Sequence, residues 1–155
     1  MIEAHPYEEV AYDLYRLEND TPGAGLGCVG DLNSELAEKD LLSLLVKTFD
    51  AKGIRYSSLR EKKIRRIALC GGSGGQLIAE AIASGADAFI TGDLKYHSFF
   101  DAGDRLLVVD IGHYESEKHS LEILYEIIRK KFAKFAVHFS EINTNPINYL
   151  QAWQK

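Results

Sequence analysis

An α/β fold, with a mostly parallel sheet flanked by helices, is predicted by three observations in this 155-residue chain. Short apolar runs at 67–70, 88–91 and 106–109 alternate with segments of helical spacing. Unbroken apolar runs of that length are what parallel strands need when helices cover both faces of the sheet. Each run then ends in a glycine-rich or polar turn: Gly71-Gly72-Ser73, Gly92-Asp93, and Asp110 to His113. The composition, 46% hydrophobic and 26% charged, is that of a globular chain about one ordinary domain long.

The elements follow in order. Pro6 with Glu8 and Glu9 suits a first helical turn, where a missing N–H costs little and acids meet the positive end of the dipole. Residues 11–17 alternate as a strand does, and Asn19-Asp20-Thr21-Pro22-Gly23 breaks the chain. A boundary is placed there, giving segments 1–22 and 23–155. Residues 25–30 read as a glycine-spaced short strand or turn. Leu41, Leu42, Leu45 and Phe49 share one face of a helix over 38–51 that Gly53 should stop. A short strand is expected over 54–59, and the basic residues of 60–66 read as a solvated strand entry. Beyond the three apolar runs, helices are expected over 76–84, 95–101 and 115–132, and a last strand over 136–139.

Charge and cysteine content narrow the function. A net charge of −5 without a basic run argues against a nucleic-acid groove, which needs clustered Lys and Arg. Two cysteines, Cys28 and Cys70, cannot make a disulfide-built miniprotein or an all-cysteine zinc site. No apolar run reaches membrane-spanning length. A cytoplasmic protein with reduced thiols and no membrane or nucleic-acid partner is the expectation.

In an open parallel sheet, ligands bind at the carboxyl ends of the strands, so the three turns should converge on one rim. His113 and Glu117 lie four apart at the start of a helix and share a face. That face continues through Ser120, Leu121, Leu124 and Ile128, which reads as the core stripe and points Glu117 inward. A buried carboxylate needs a partner or a metal. Neutral imidazole and carboxylate at this spacing can both ligate one divalent cation. On the residues alone the simpler arrangement is Glu117 capping the helix, with His113 bonded to backbone. His97, on the neighbouring turn, fits a proton shuttle, a substrate contact or a half-exposed helix histidine. Asp93 fits a cap for the short helix, and Asp110 closes an apolar strand where a charge needs a partner. Gly71-Gly72-Ser73-Gly74-Gly75 fits a nucleophile elbow, an anion-binding turn or a tight packing turn. His5-Pro6-Tyr7-Glu8-Glu9 also has metal-binding residue types, but it lies before the breaker and reads mainly as helix-start chemistry.

Four ordered motifs carry a resemblance. Cys70 to Gly75, Thr91-Gly92-Asp93-Leu94-Lys95-Tyr96-His97, Asp110-Ile111-Gly112-His113-Tyr114-Glu115-Ser116-Glu117, and Thr144-Asn145-Pro146 resemble the YqfO/YbgI-like dinuclear metal-centre family, the homologues of GTP cyclohydrolase type 2. Residues 5–13 resemble the end of that family's PII/CutA-like, ferredoxin-type insert. The resemblance implies that 1–22 ends the insert and 23–155 forms the C-terminal half of the family's α/β domain. It implies a usually hexameric toroid of identical subunits and a pair of divalent metals (Zn, Fe or Mn). His113 and Glu117 fall on its metal-binding positions, and His97 falls on a cavity-lining position for which proton handling in catalysis is the expectation. The family's other ligands, a histidine pair and an acid, come from an N-terminal half. No adjacent histidine pair occurs in these 155 residues. The implied activities are a metal-dependent hydrolase on a nucleotide-like or cyclic amide substrate, or a non-catalytic metal-binding, regulatory or metallochaperone scaffold. A serine hydrolase using Ser73 is the third and weakest reading.

Overall fold

The apolar runs pair into one five-stranded sheet in the computed structural model, which describes residues 5–6, 10–15 and 23–150. The elements are β1 (Cys28–Ala37), α1 (Glu38–Phe49), β2 (Arg55–Tyr56), β3 (Lys63–Ser73), α2 (Ile78–Ala83), β4 (Ala88–Gly92), α3 (Ser98–Asp101), β5 (Leu107–Asp110), α4 (His113–Glu117) and α5 (Ser120–Lys131). The spatial order is β1-β3-β4-β5-β2. β3, β4 and β5 run parallel, while β1 and β2 close the two edges antiparallel. The expected fold class is the observed one.

Alternation along each central strand feeds two cores. Ala88, Ile90, Leu107 and Val109 face α1 with its Leu41, Leu42 and Leu45. Phe89 and Val108 face the opposite way, onto Ile78 and Ala81 of α2 and onto Leu94 and Ala102. A two-residue period puts neighbours on opposite faces, so both faces of a central strand are apolar. That is why the runs lack polar gaps.

Several expectations are corrected. Residues 11–15 carry no strand, and 16–17 lie outside the described residues. The expected first helical turn falls largely on 7–9, also outside them, and the 1–22 segment is only partly described. The strand foreseen near 25–30 runs to Ala37, because β1 finds a long antiparallel partner in β3. Asp50, not Gly53, ends α1: it adopts a left-handed backbone (φ 46°, ψ 47°), which Asp tolerates better than most residues. The strand near 54–59 shrinks to two residues. Arg60 is not solvated. It donates to Glu38 Oε1 and to the carbonyls of Asp87 and Arg105, and so compensates a buried Glu38. The helix expected over 115–132 divides at Lys118 and His119, where ψ of His119 relaxes to −12° and the helical ladder opens. Residues 136–139 form no strand, since no strand lies beside them. Phe139 stacks on Tyr125 instead, with ring centroids 4.6 Å apart.

Candidate functional site

The three turns do meet at one rim. β4 ends at Gly92, β5 at Asp110, and α4 starts three residues later, at His113. Close approach sets the geometry here. A Cβ on Gly92 would lie 2.9 Å from Gly112 backbone atoms and from His113 Cα, so glycine lets the start of α4 lie on the end of β4. Gly72 has φ +64°, and a Cβ there would overlap Glu117 Oε1. The glycine turn is thus a floor under the His113–Glu117 pair. Its N–H groups do not all wait for an anion: Gly72 N–H donates to Ser116 Oγ at 2.8 Å. Ser73 Oγ has no hydrogen bond to a histidine or carboxylate among the described residues, so no nucleophile–base pair is formed there.

His113 stands between two carboxylates. Its Nδ1 lies 2.8 Å from Asp93 Oδ2 and its Nε2 lies 3.2 Å from Glu117 Oε2. A carboxylate only accepts, so Nδ1 carries the hydrogen. Nε2 then faces Glu117 either with a proton or with a lone pair that a cation can share. The Asp93 hydrogen bond raises the His113 pKa above 6.5; burial opposes the rise, and Glu117 adds to it. All three side chains are about half exposed.

They line a cavity of about 840 Å³ whose walls include Arg55, Asp110, Glu115, Lys118, Asn145 and Tyr149. Glu115 is buried, accepts from Asn145 Nδ2 at 3.4 Å, and so ties the C-terminal segment to α4. Burial first, then Glu115 and Asp110, pushes the Tyr149 phenol up from its ordinary pKa.

His113 and Glu117 are therefore together as the spacing required, but two details differ from expectation. Glu117 is half exposed on the cavity wall rather than directed into a core, because the stripe below it, Leu121, Leu124 and Ile128, is itself exposed. His113 bonds to Asp93 rather than to backbone. Asp93 makes no capping bond to α3. His97 is exposed, packs edge-on against the Tyr96 ring at 5.3 Å, and is absent from the cavity lining. The Asp93–His113 contact was open to sequence reasoning, since both residues follow adjacent parallel strands. Arg55 and Tyr149, 55 and 149 residues into the chain, gave no such signal.

The donor set fits part of a metal site. Neighbouring ligands on one ion, each bonded at about 2.1 Å, sit about 3.0–3.4 Å apart, and the His113–Glu117 separation falls in that range. Asp93 on the far nitrogen orients the ring, as carboxylates behind metal-bound histidines do. Among the described residues, however, no group of three or more His, Cys, Asp or Glu side chains is gathered to hold an ion.

Comparison with known proteins adds the family. Residues 2–146 match Duf34/NIF3 (NGG1p interacting factor 3). The chain belongs to that family. It is 38% identical, over 97% of its own length and 41% of the relative's, to a "GTP cyclohydrolase 1 type 2 homolog" of Bacillus subtilis strain 168. Among solved structures it is similar to a Bacillus cereus protein related to NIF3 (TM-score 0.71, 35% identity, 96% of this chain and 42% of that one). It is also similar to Staphylococcus aureus protein SA1388 (TM-score 0.74, 29% identity, 96% and 50%). The chain thus spans about 41% of the curated relatives' length. No helix among the described residues is long and apolar enough to cross a membrane.

Proposed function

We propose that this Duf34/NIF3 chain supplies two ligands, His113 Nε2 and Glu117, to a divalent-cation site of the family. The observation that supports it is an imidazole held between two carboxylates, which leaves Nε2 facing Glu117 at 3.2 Å with room for a cation's charge. Gly72 supports it too, because a Cβ there would overlap Glu117 Oε1 and come within 3.5 Å of His113 Cε1. Two ligands are fewer than the four to six a bound cation takes, so further donors come from outside these residues.

When bound, a divalent cation supplies Lewis acidity and a water of lowered pKa. This chain's own residues then do the following. Asp93 fixes the His113 tautomer. Gly72 leaves Glu117 its place. Arg55 and Lys118, on the cavity wall, offer positive charge to an anionic group of a small molecule. The relatives' name, homologue of a GTP cyclohydrolase, supports a hydrolase reading, and the cation site would make it metal-dependent. His97 is not among the side chains of this chain that line the cavity.

Titration with Mn²⁺, followed by paramagnetic broadening of assigned amide signals, tests the ligand assignment and detects weak binding. Broadening is expected to centre on residues 72, 113 and 117, and to vanish in His113→Ala and in Glu117→Ala while their circular dichroism stays unchanged. Equal broadening in wild type and both variants would remove the assignment.

A further inference from the structure

We propose that Asp110 is the positioning residue of this centre: its buried carboxylate ties the turn after β4 to the turn after β5 and so delivers Asp93 to His113 Nδ1. The proposal rests on the ligand reading above for its purpose, but on bonds within this chain for its content.

Asp110 is 4% exposed, at the end of a strand whose other residues are apolar. A carboxylate there must be matched by donors. Three are present. Leu94 N–H donates to Oδ2 at 2.9 Å and Gly112 N–H to Oδ1 at 2.9 Å. The Arg55 guanidinium pairs with Oδ2 and also donates to the Leu94 carbonyl at 2.8 Å. The peptide unit after Asp93 is therefore gripped from below by Asp110, and the carbonyl of Leu94 by Arg55.

Both gripped turns carry a residue with positive φ, and at Asp93 it is costly. Asp93 has φ +52°, a left-handed conformation that a non-glycine residue holds only when its surroundings fix it. Gly112 has φ +95° and precedes His113 directly. One carboxylate thus holds the residue after Asp93 and the residue before His113. The Asp93–His113 bond spans those two turns, and its 2.8 Å length follows from their fixed separation. Residues behind metal-bound histidines commonly contribute about 10-fold to 100-fold in metal affinity.

Asp110→Asn tests this with almost no change of shape. Its two oxygens now accept from donors on both sides, so an amide NH₂ must face an N–H in either orientation. The first readout is the His113 tautomer in the metal-free protein, taken from long-range ¹H–¹⁵N correlation at alkaline pH where the ring is neutral. Wild type should be mostly Nδ1–H. Asp110→Asn should move toward the tautomer mixture of Asp93→Asn, with the rest of the amide spectrum preserved. The second readout is Zn²⁺ affinity. Asp110→Asn should weaken it about 10-fold, and adding it to Asp93→Asn should weaken it no further, because Asp110 acts through Asp93.

If Asp110→Asn does not fold, Arg55→Gln serves in its place. Arg55 is more than half exposed, and its loss frees the Leu94 carbonyl and leaves Asp110 Oδ2 with only the Leu94 N–H. A partial tautomer shift is then expected. A wild-type tautomer in the folded variant, or additive losses of Zn²⁺ affinity in the double variant, would overturn the positioning role. If wild type binds no Zn²⁺ while the tautomer still shifts, the ligand reading fails and the positioning role stands.

Discussion

Helices α1 and α5 are both 12 residues long and both amphipathic, yet their fates differ. α1 buries Leu41, Leu42 and Leu45 against the sheet. α5 buries nothing: Leu121, Leu124, Ile127 and Ile128 are between 38% and 55% exposed. The pattern of a helix says which of its faces is apolar. What lies against that face is decided elsewhere in the fold. α1 is met by strands whose side chains alternate toward it, whereas no residue of α5 joins either core. α4, only five residues long, belongs with α1 in this respect, since it packs on β3 and β4.

The sharpest way to break that comparison is to cut a leucine from each helix. Leu41→Ala should cost about 2–5 kcal/mol, because a core cavity is left behind. Leu124→Ala should stay within about 0.5 kcal/mol, as surface changes do. Urea unfolding of both variants measures the contrast. A loss above about 2 kcal/mol at Leu124 would mean that α5 is packed in solution.

A smaller effect is expected where α4 is pressed onto the sheet. In Gly92→Ala the new methyl meets backbone atoms of Gly112 and His113 at 2.9 Å, and backbone cannot turn aside as a flexible side chain can. The cost should be about 1–3 kcal/mol, with amide shifts confined to 110–117. Near-wild-type stability with unchanged signals there would show that α4 is less tightly seated than its contacts indicate.

These contrasts also mark how far the sequence could be read. The parallel strands are legible because a two-sided sheet leaves an apolar run with no gaps, and residues 88–91 and 106–109 are such runs. His113 and Glu117 were legible because a helix fixes the four-residue spacing. The edge strands were not: β1 owes its length to β3, a partner more than 20 residues away along the chain. The stripe 121, 124, 128 has the pattern of a core face, but periodicity carries no information about cover. Asp93 has the residue type of a helix cap, and only the juxtaposition of two turns reveals its bond to His113. Arg60 has the local setting of a solvated residue, because buried Glu38, 22 residues back, leaves no mark on local pattern.

The smallest effect is a pH dependence, and its sign separates the rim from the exposed helix. In the folded chain Asp93 and then Glu117 raise the His113 pKa above the 6.5 of an unperturbed histidine. A folded value raised above the unfolded one means that the protonated ring favours the folded state. Its contribution is fully present below about pH 6.5 and is lost as pH rises through the raised folded value. The effect is small, since the ring is about half exposed and solvent screens the pair. Asp93→Asn removes its leading cause. The difference in urea midpoint between wild type and Asp93→Asn should therefore be greatest in mild acid and shrink toward alkaline pH. The same difference for Leu124→Ala should stay flat across the range. A wild-type advantage that grows with pH would mean that His113 is held neutral in the fold, with Asp93 serving some need other than its charge.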